Sequence, residues 1–253
     1  MWILLVFFVA SVLCHLYMKS KRGRMEDVKP KLELEIVTSH YKEDLSWLGE
    51  SKWPVTVISK EGADVPSIPV SLRGGIIPNR GNEATAYLYF IWKNYDSLPD
   101  TIAFIHGHRD AWHHRLPWGL LEAIERGRAG MGKCGYISLN NCWLWAENPH
   151  YKYLHDHWND MFLPYIGVEL PEKETDVKGD CCAQFLVSRE RILRIPKEAW
   201  GMWYEWAIGE HPKGVDIGRS FEYTWHVIFG EPCIMNSGVV EEWFSMSTQP
   251  SQS

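Results

Sequence analysis

The chain has 253 residues, enough for one large domain or two small ones with a sizeable core. Its 45% hydrophobic and 23% charged residues are ordinary for a globular protein, and a net charge of −6 with no basic stripe excludes a nucleic-acid-binding class. Tryptophan is abundant at 14 copies; indoles fill cores, and their faces also stack on sugar rings.

Residues 2–18 are apolar except Ser11 and His15, and Lys19, Lys21, Arg22 and Arg24 follow. Such a run reaches roughly 26 Å as a helix, short of a ~30 Å hydrocarbon core but within what local thinning accommodates. We expect a retained single-pass membrane anchor over residues 1–18 rather than a cleaved signal peptide. No basic residue precedes the run, and residues 10–14 make a poor cleavage site. Residues 19–31 read as a charged stem, 32–244 as a single α/β domain and 245–253 as a disordered tail.

Leu34, Ile36 and Val37 lead a first strand that ends at Thr38-Ser39-His40-Tyr41, and Asp44 is placed to cap a short helical turn. Residues 55–58 read as a second strand. Residues 60–82, rich in Gly and Pro and carrying Arg73 and Arg80, read as a long loop of the functional kind. Asn82 then caps a helix over 83–94 whose Ala84, Tyr87, Leu88 and Ile91 share a face. The strand 102–105 follows, then a helix over 117–128, ending at Gly130, and a strand over 135–139. Residues 171–180 are polar and read as mobile. Residues 184–187 form a short apolar segment, and Ser188 caps the turn after it. Pro196 opens a helix with Trp200, Trp203, Tyr204 and Ala207 on one face and Gly209 as its stop, and Ser220 caps a last helix to Phe229. Strand and helix patterns alternate, which predicts an α/β architecture with a mostly parallel central sheet. No Gly-rich phosphate loop is present.

The six cysteines lack zinc-ribbon or redox spacing. One of Cys181 and Cys182 is expected to be buried as a small apolar residue, and a Cys134–Cys142 bridge is open to the chain.

The strongest chemical signal is Ile102-Ala-Phe-Ile-His106-Gly-His108-Arg109-Asp110-Ala-Trp112-His113-His114, a buried strand that releases four histidines, an arginine and an aspartate at its carboxyl end. Ligands bind at such ends in open α/β sheets, and imidazole and carboxylate both ligate divalent metals. His106, His108 and Asp110 partly echo the His-x-His-x-Asp-His signature of metallo-β-lactamase-type hydrolases, but Ala111 stands where its next histidine belongs. Glu222 and His226, four apart, would share a helix face, and a carboxylate beside an imidazole can hold a proton for transfer. Arg219 puts a cation near that helix's amino end, a mismatch with the dipole that an anionic ligand would relieve. A third group, His150, His155, Asp156 and His157 among Tyr151, Tyr153 and Trp158, reads as a solvated loop before an acceptor site.

Several segments together resemble one uncharacterised family, domain of unknown function 3431. They are Glu35 to Leu48 with Glu43, Asp44 and Trp47; Pro78 to Leu88 with Asn79, Gly81 and Glu83; Leu98-Pro-Asp100; His106-Gly-His108-Arg109; Trp112-His113-His114; Gly135 to Leu139; Cys181 to Arg189 with Gln184; and Gly218 to His226. The order of motifs is also similar to that of GT-A-type glycosyltransferases, the capsular and rhamnan-synthesis kinds in particular. In those, a Tyr-x-Glu-Asp turn, an Asn-x-Gly-x-Glu helix start, an acidic metal motif after a strand and a late helical Glu succeed one another. Here Glu43 and Asp44 match the first, Asn79, Gly81 and Glu83 the second and Glu222 the fourth, whereas His106-Gly-His108 stands at the metal motif.

The resemblance implies a GT-A-like three-layer sandwich behind an N-terminal anchor, moving a sugar from a nucleotide sugar to a glycan or glycoconjugate. In that scheme Glu222 and His226 are catalytic, and His40, Glu43, Asp44, Asn79, Glu83, Arg109 and Arg219 hold the donor, with Arg73 or Arg80 as further phosphate partners. His113, His114 and Gln184 lie on the acceptor side. His106, His108 and Asp110 hold the diphosphate, with or without Mn²⁺ or Mg²⁺; imidazole suits those ions less than carboxylate does. A single-pass membrane location is expected, Golgi or endoplasmic reticulum if the chain is eukaryotic, although the basic flank 19–24 reads as cytosolic while a resident glycan-processing enzyme keeps its domain in the lumen. The rival readings are a metal-dependent hydrolase on the histidine cluster and a non-catalytic glycan-binding module.

Overall fold

The computed structural model describes residues 33–69, 73–114, 116–180 and 182–235. The expected anchor, stem and tail lie outside them, and no helix among the described residues is long and apolar enough to cross a membrane.

Six strands form the main sheet: β1 (Leu34–His40), β2 (Val55–Lys60), β3 (Gly75–Ile77), β4 (Thr101–Ile105), β5 (Tyr136–Ser138) and β8 (Phe185–Ser188), in the order β3-β2-β1-β4-β8-β5. The β1–β2, β1–β4 and β2–β3 pairs are parallel, and β8 runs antiparallel to both β4 and β5. The fold is therefore mixed α/β with a mostly parallel sheet, as the alternating pattern predicts. A second, two-stranded sheet pairs β6 (Trp143–Trp145) with β7 (Lys178–Asp180).

The central strands are apolar on both faces because both faces are covered. Successive β4 residues alternate between two cores: Ile102 and Phe104 join one, Ala103 and Ile105 the other. The first core is aromatic and takes in α1 (Asn82–Asn94), α3 (His150–Met161) and α6 (Lys197–Ala207). Phe162 stacks on Trp158 at 5.0 Å and on Trp203 at 4.6 Å, and four tryptophans (Trp158, Trp200, Trp203 and Trp225) are fully buried. Truncating one such ring to alanine costs about 3–5 kcal/mol. The second core rests on Leu120, Ala123 and Ile124 of α2 (Leu120–Gly130) and on Trp47.

Several local expectations need correction. The loop 60–82 contains β3, an edge strand of three residues too brief to show a period. Residues 171–180, expected to be mobile, contain a 3-10 turn (Glu174–Asp176) and β7. The third histidine group lies on α3, not in a solvated loop; Tyr151, Leu154 and Trp158 bury its inner face. Asn82 does not cap α1: Gly81 is the N-cap in left-handed backbone, and the Asn82 amide donates to Asp216 instead. Asp44 binds the Ser46 N–H at 2.9 Å, one residue ahead of the N-cap of the 3-10 turn Ser46–Glu50. Ser220 caps nothing. Asp216 caps α7 (Ile217–Glu222), and the expected last helix breaks before α8 (Trp225–Ile228). Ser188 caps α5 (Arg189–Leu193), as expected. Cys182 is buried and disulfide-bonded, whereas Cys134 keeps a free thiol, so no Cys134–Cys142 bridge forms.

Candidate functional site

From β1 the chain builds outward through β2 and β3, then crosses to β4 on β1's other side. The order thus reverses between β1 and β4, and ligands of open α/β sheets bind outside the carboxyl ends of strands at such a point. A cavity of about 270 Å³ lies there. Ser39, Tyr41 and Glu43 line it from the end of β1, Lys60 from β2, Asn79, Asn82 and Glu83 from the β3–α1 junction, and His106, Gly107 and His108 from beyond β4.

Glycine at 107 lets two of these loops meet, since a Cβ there would stand 2.9 Å from the Cβ of Glu43. Glu43 Oε2 accepts the Tyr41 N–H at 2.6 Å and the Lys42 N–H at 3.0 Å. Burial works to raise this carboxyl, but those backbone donors outweigh it and hold it below the usual range.

His106 is set by Gln184, whose Oε1 accepts the His106 N–H at 3.1 Å while its amide donates to buried Asn140 at 3.0 Å. Asn140 also hydrogen-bonds the ring of His113, which packs edge-on to His106 with centroids 5.1 Å apart. Burial, with the charge of His108, pushes His106 down to about 4; burial likewise pushes His113 down to about 4. Both rings are therefore neutral at physiological pH. His106 Nε2 and His113 Nδ1 are buried without a hydrogen-bond partner among the described residues, and His106 Nε2 lies 3.9 Å from Glu83 Oε1. The orphaned Nε2 of His106, which lines the cavity, is capacity that a ligand can use; His113 stands behind it.

Lys60 is the cation of the site. Its ammonium donates to the Arg80 carbonyl at 3.0 Å and to Thr85 Oγ1 at 2.5 Å, which leaves, among the described residues, a third N–H for a ligand. Burial brings its pKa down to about 8, against the pull of Glu83. Glu83 opens α1 directly behind Gly81, and burial raises its carboxyl.

Glu222 joins this group through space. Burial first, and then the Glu83 carboxylate, push it up to about 8, so the two acids share a field in which one ionises at the other's expense. Glu222 does not line the crevice cavity itself; it lines a separate, water-sized one with Leu144, Asp180 and His226, where burial lifts Asp180 to about 7. Glu222 and His226 belong to different helices but do reach that same cavity. His226 donates from Nε2 to the Cys233 carbonyl at 3.2 Å.

The other expected residues divide by where they point. Gln184 and His114 are scaffold; the ring of His114 lies against the carbonyls of Leu139 at 2.9 Å and Trp118 at 2.8 Å, which pins the loop that carries His113. His40 is buried, and Asp44 is exposed and bonded to Ser46 and Ser67. Arg73 pairs with Glu35 at 3.2 Å near the amino ends of the strands, Arg80 donates to the Gly209 carbonyl, and Arg219 stands 3.9 Å from Glu147. Arg109, exposed like His108 and Asp110, sits 3.7 Å from Glu50. Among the described residues no three His, Cys, Asp or Glu side chains are placed to share a metal ion; His106 is half-buried whereas His108 and Asp110 face outward. Sequence reasoning missed Lys60 and Asn140. An amine closing an otherwise uncharged strand, at the end where the crevice opens, is the signal that could have found Lys60.

No curated protein and no solved structure matches the chain. The model of the family described as protein of unknown function (DUF3431) matches residues 36–239, and the chain belongs to that family.

Proposed function

We propose that the crevice over β1–β4 binds a nucleotide sugar and that the protein transfers the sugar to a glycan or glycoconjugate hydroxyl, on a GT-A-like scaffold. The observation that carries this reading is the meeting of three things in one cavity at the switch point. They are a buried ammonium with a donor to spare (Lys60), a neutral imidazole with an orphaned nitrogen (His106), and the carboxylates of Glu43 and Glu83, the latter within the field of Glu222.

The chemistry assigns itself to this set. The acceptor oxygen forms a bond to the anomeric carbon while the bond from that carbon to the diphosphate oxygen breaks, and the nucleoside diphosphate leaves with the electron pair. Lys60 and His106 donate hydrogen bonds where that negative charge develops, and His113 packs behind His106. Ionised Glu222 takes the acceptor's proton, and a pKa of about 8 suits a base working near neutral pH. Glu43, held ionised with one oxygen on Tyr41 and Lys42, offers its other oxygen to ribose hydroxyls. Residues 1–18 anchor the enzyme in a secretory-pathway membrane in this account.

The test is an assay of the purified full chain for nucleoside diphosphate released from a panel of UDP-, GDP- and dTDP-sugars over mixed glycan acceptors, with and without Mn²⁺ or Mg²⁺. Release that depends on acceptor supports transfer. Cleavage of a phosphoester that needs zinc supports a hydrolase. Glycan binding with no turnover supports a binding module.

A further inference from the structure

Among the described residues most indoles are buried in the cores or packed against them, but three are exposed: Trp112 by 67%, Trp143 by 38% and Trp145 by 45%. All three hang from the scaffold of the crevice. Trp112 meets His113 edge-on at 5.6 Å, and the His114 ring fixes their loop to the Leu139 and Trp118 carbonyls. Asn140, which bonds the His113 ring, precedes Trp143 by three residues, a span of at most about 11 Å of chain.

The β6–β7 register gives the other two indoles a direction. Trp143 lies opposite Asp180, Trp145 opposite Lys178 and Leu144 opposite Gly179. Alternation puts Trp143, Trp145, Lys178 and Asp180 on one face, and Leu144 and Gly179 on the other. Leu144, Lys178, Gly179 and Asp180 all line the small cavity with Glu222, and a Cβ on Gly179 would stand 3.1 Å from His226 Nδ1. The indoles therefore share a face with two residues of β7 that border the Glu222 cavity. Their centroids are 6.2 Å apart with the planes tilted by 32°, and the Lys178 ammonium lies 3.2 Å from the Trp143 centroid and 3.9 Å from that of Trp145. That cation–π clamp holds both rings in place before any ligand arrives.

We propose that Trp112, Trp143 and Trp145, with Lys178, form a platform that holds an oligosaccharide acceptor beside the crevice; the assignment rests on the glycosyl-transfer reading. A pyranose presents a flat C–H face to an indole, and its hydroxyls accept from an ammonium. Two indoles in sequence therefore suit a chain of sugars better than a single ring. An acceptor laid there reaches past the sheet toward Glu222, the group that takes its proton.

The experiment is calorimetric titration of the purified full chain with maltohexaose, cellohexaose, chitohexaose and a uronate-containing hexasaccharide, and of the Trp112→Ala, Trp143→Ala, Trp145→Ala and Trp145→Tyr variants. Because these rings are surface residues, the variants should melt with the parent. We expect at least one probe to bind, each alanine variant to lose about tenfold in affinity, as ring stacking predicts, and Trp145→Tyr to lose much less. A folded protein that binds none of the four probes, or equal affinity in the alanine variants, would overturn the platform. So would self-association of the parent that the alanine variants abolish, because the occupant would then be a second copy. Nucleoside diphosphate titration of the same samples separates the two proposals: platform variants should bind UDP or GDP as the parent does, and failure of the parent to bind any nucleotide would count against transfer rather than against the platform.

Discussion

The two ends of the main sheet carry nearly the same three residues and use them differently. At the amino end Glu35 is buried, accepts from Thr56 Oγ1 at 2.5 Å and has Arg73 at 3.2 Å. At the carboxyl end stand Glu83, Lys60 and Thr85, but the threonine takes the lysine at 2.5 Å, and Glu83 has the neutral His106 ring 3.9 Å away. The first set is packed across short contacts, and although Glu35 Oε2 accepts no hydrogen bond among the described residues, Glu35 lines none of the cavities described above. The second encloses space and leaves donors unspent, with two orphaned imidazole nitrogens beside it. A carboxylate with a cation is therefore no mark of a site; unmet hydrogen-bonding capacity facing a cavity is.

The comparison breaks most readily at Glu222. Glu222→Gln should lower transfer by about 10²–10⁴-fold, the usual yield of a general base, with a melting temperature no lower than the parent's. A steady-state assay beside a thermal melt reads both. Retained activity would remove Glu222 from the chemistry.

The amino end predicts the reverse pattern. Arg73→Ala leaves a buried carboxyl without its cation and should cost about 2–3 kcal/mol of stability, discounted from the range for buried pairs because Arg73 is partly exposed. Urea unfolding measures that loss, and turnover per folded molecule should stay within about twofold of the parent.

The acid–base groups sharpen the contrast with pH. Glu222, raised from an ordinary value of 4.5 to about 8, keeps its proton longer in the native than in the unfolded chain, so its contribution makes stability fall as pH rises between those values. His106 and His113, lowered from 6.5 to about 4, act oppositely: the native state binds fewer protons, and stability falls as pH drops from 6.5 toward 4. Melts of Glu222→Gln against the parent should therefore diverge from pH 5 to pH 8, with the variant gaining. Parallel curves would contradict the burial assigned to Glu222.

The smallest expected effect is at Gly107. Its Cβ in Gly107→Ala would crowd Glu43, displacing that loop by a few tenths of an ångström. The donor KM should rise a few-fold with kcat nearly unchanged, which initial rates can resolve. An unchanged KM would mean that Glu43 does not touch the donor.

How much of this was readable beforehand varied with the length of the signal. β1, β4 and α1 carry enough patterned residues to be placed within a residue or two, and Glu43, Asn79, Glu83, His106 and His108 all reach the cavity from motifs visible in the chain. β3, β6 and β7 are three residues each, too short for a period to show, so the aromatic sheet next to Glu222 was not visible. The break between α7 and α8 was hidden for another reason: Thr224 returns its hydroxyl to the Ser220 carbonyl at 3.1 Å, a local bond that competes with the helix and carries no strong sequence mark. Lys60 was missed because a charge at a strand end usually means solvent, and only the crossing of β4 beside β1 encloses it.

The most direct measurement is calorimetric titration of UDP and GDP, each with and without Mn²⁺, into the full chain and into Lys60→Met. The account predicts saturable binding of at least one nucleotide and a loss of about tenfold or more in the variant, the scale of a charge-assisted hydrogen bond to phosphate. Binding of neither nucleotide to the folded parent, or equal binding to parent and variant, would contradict it.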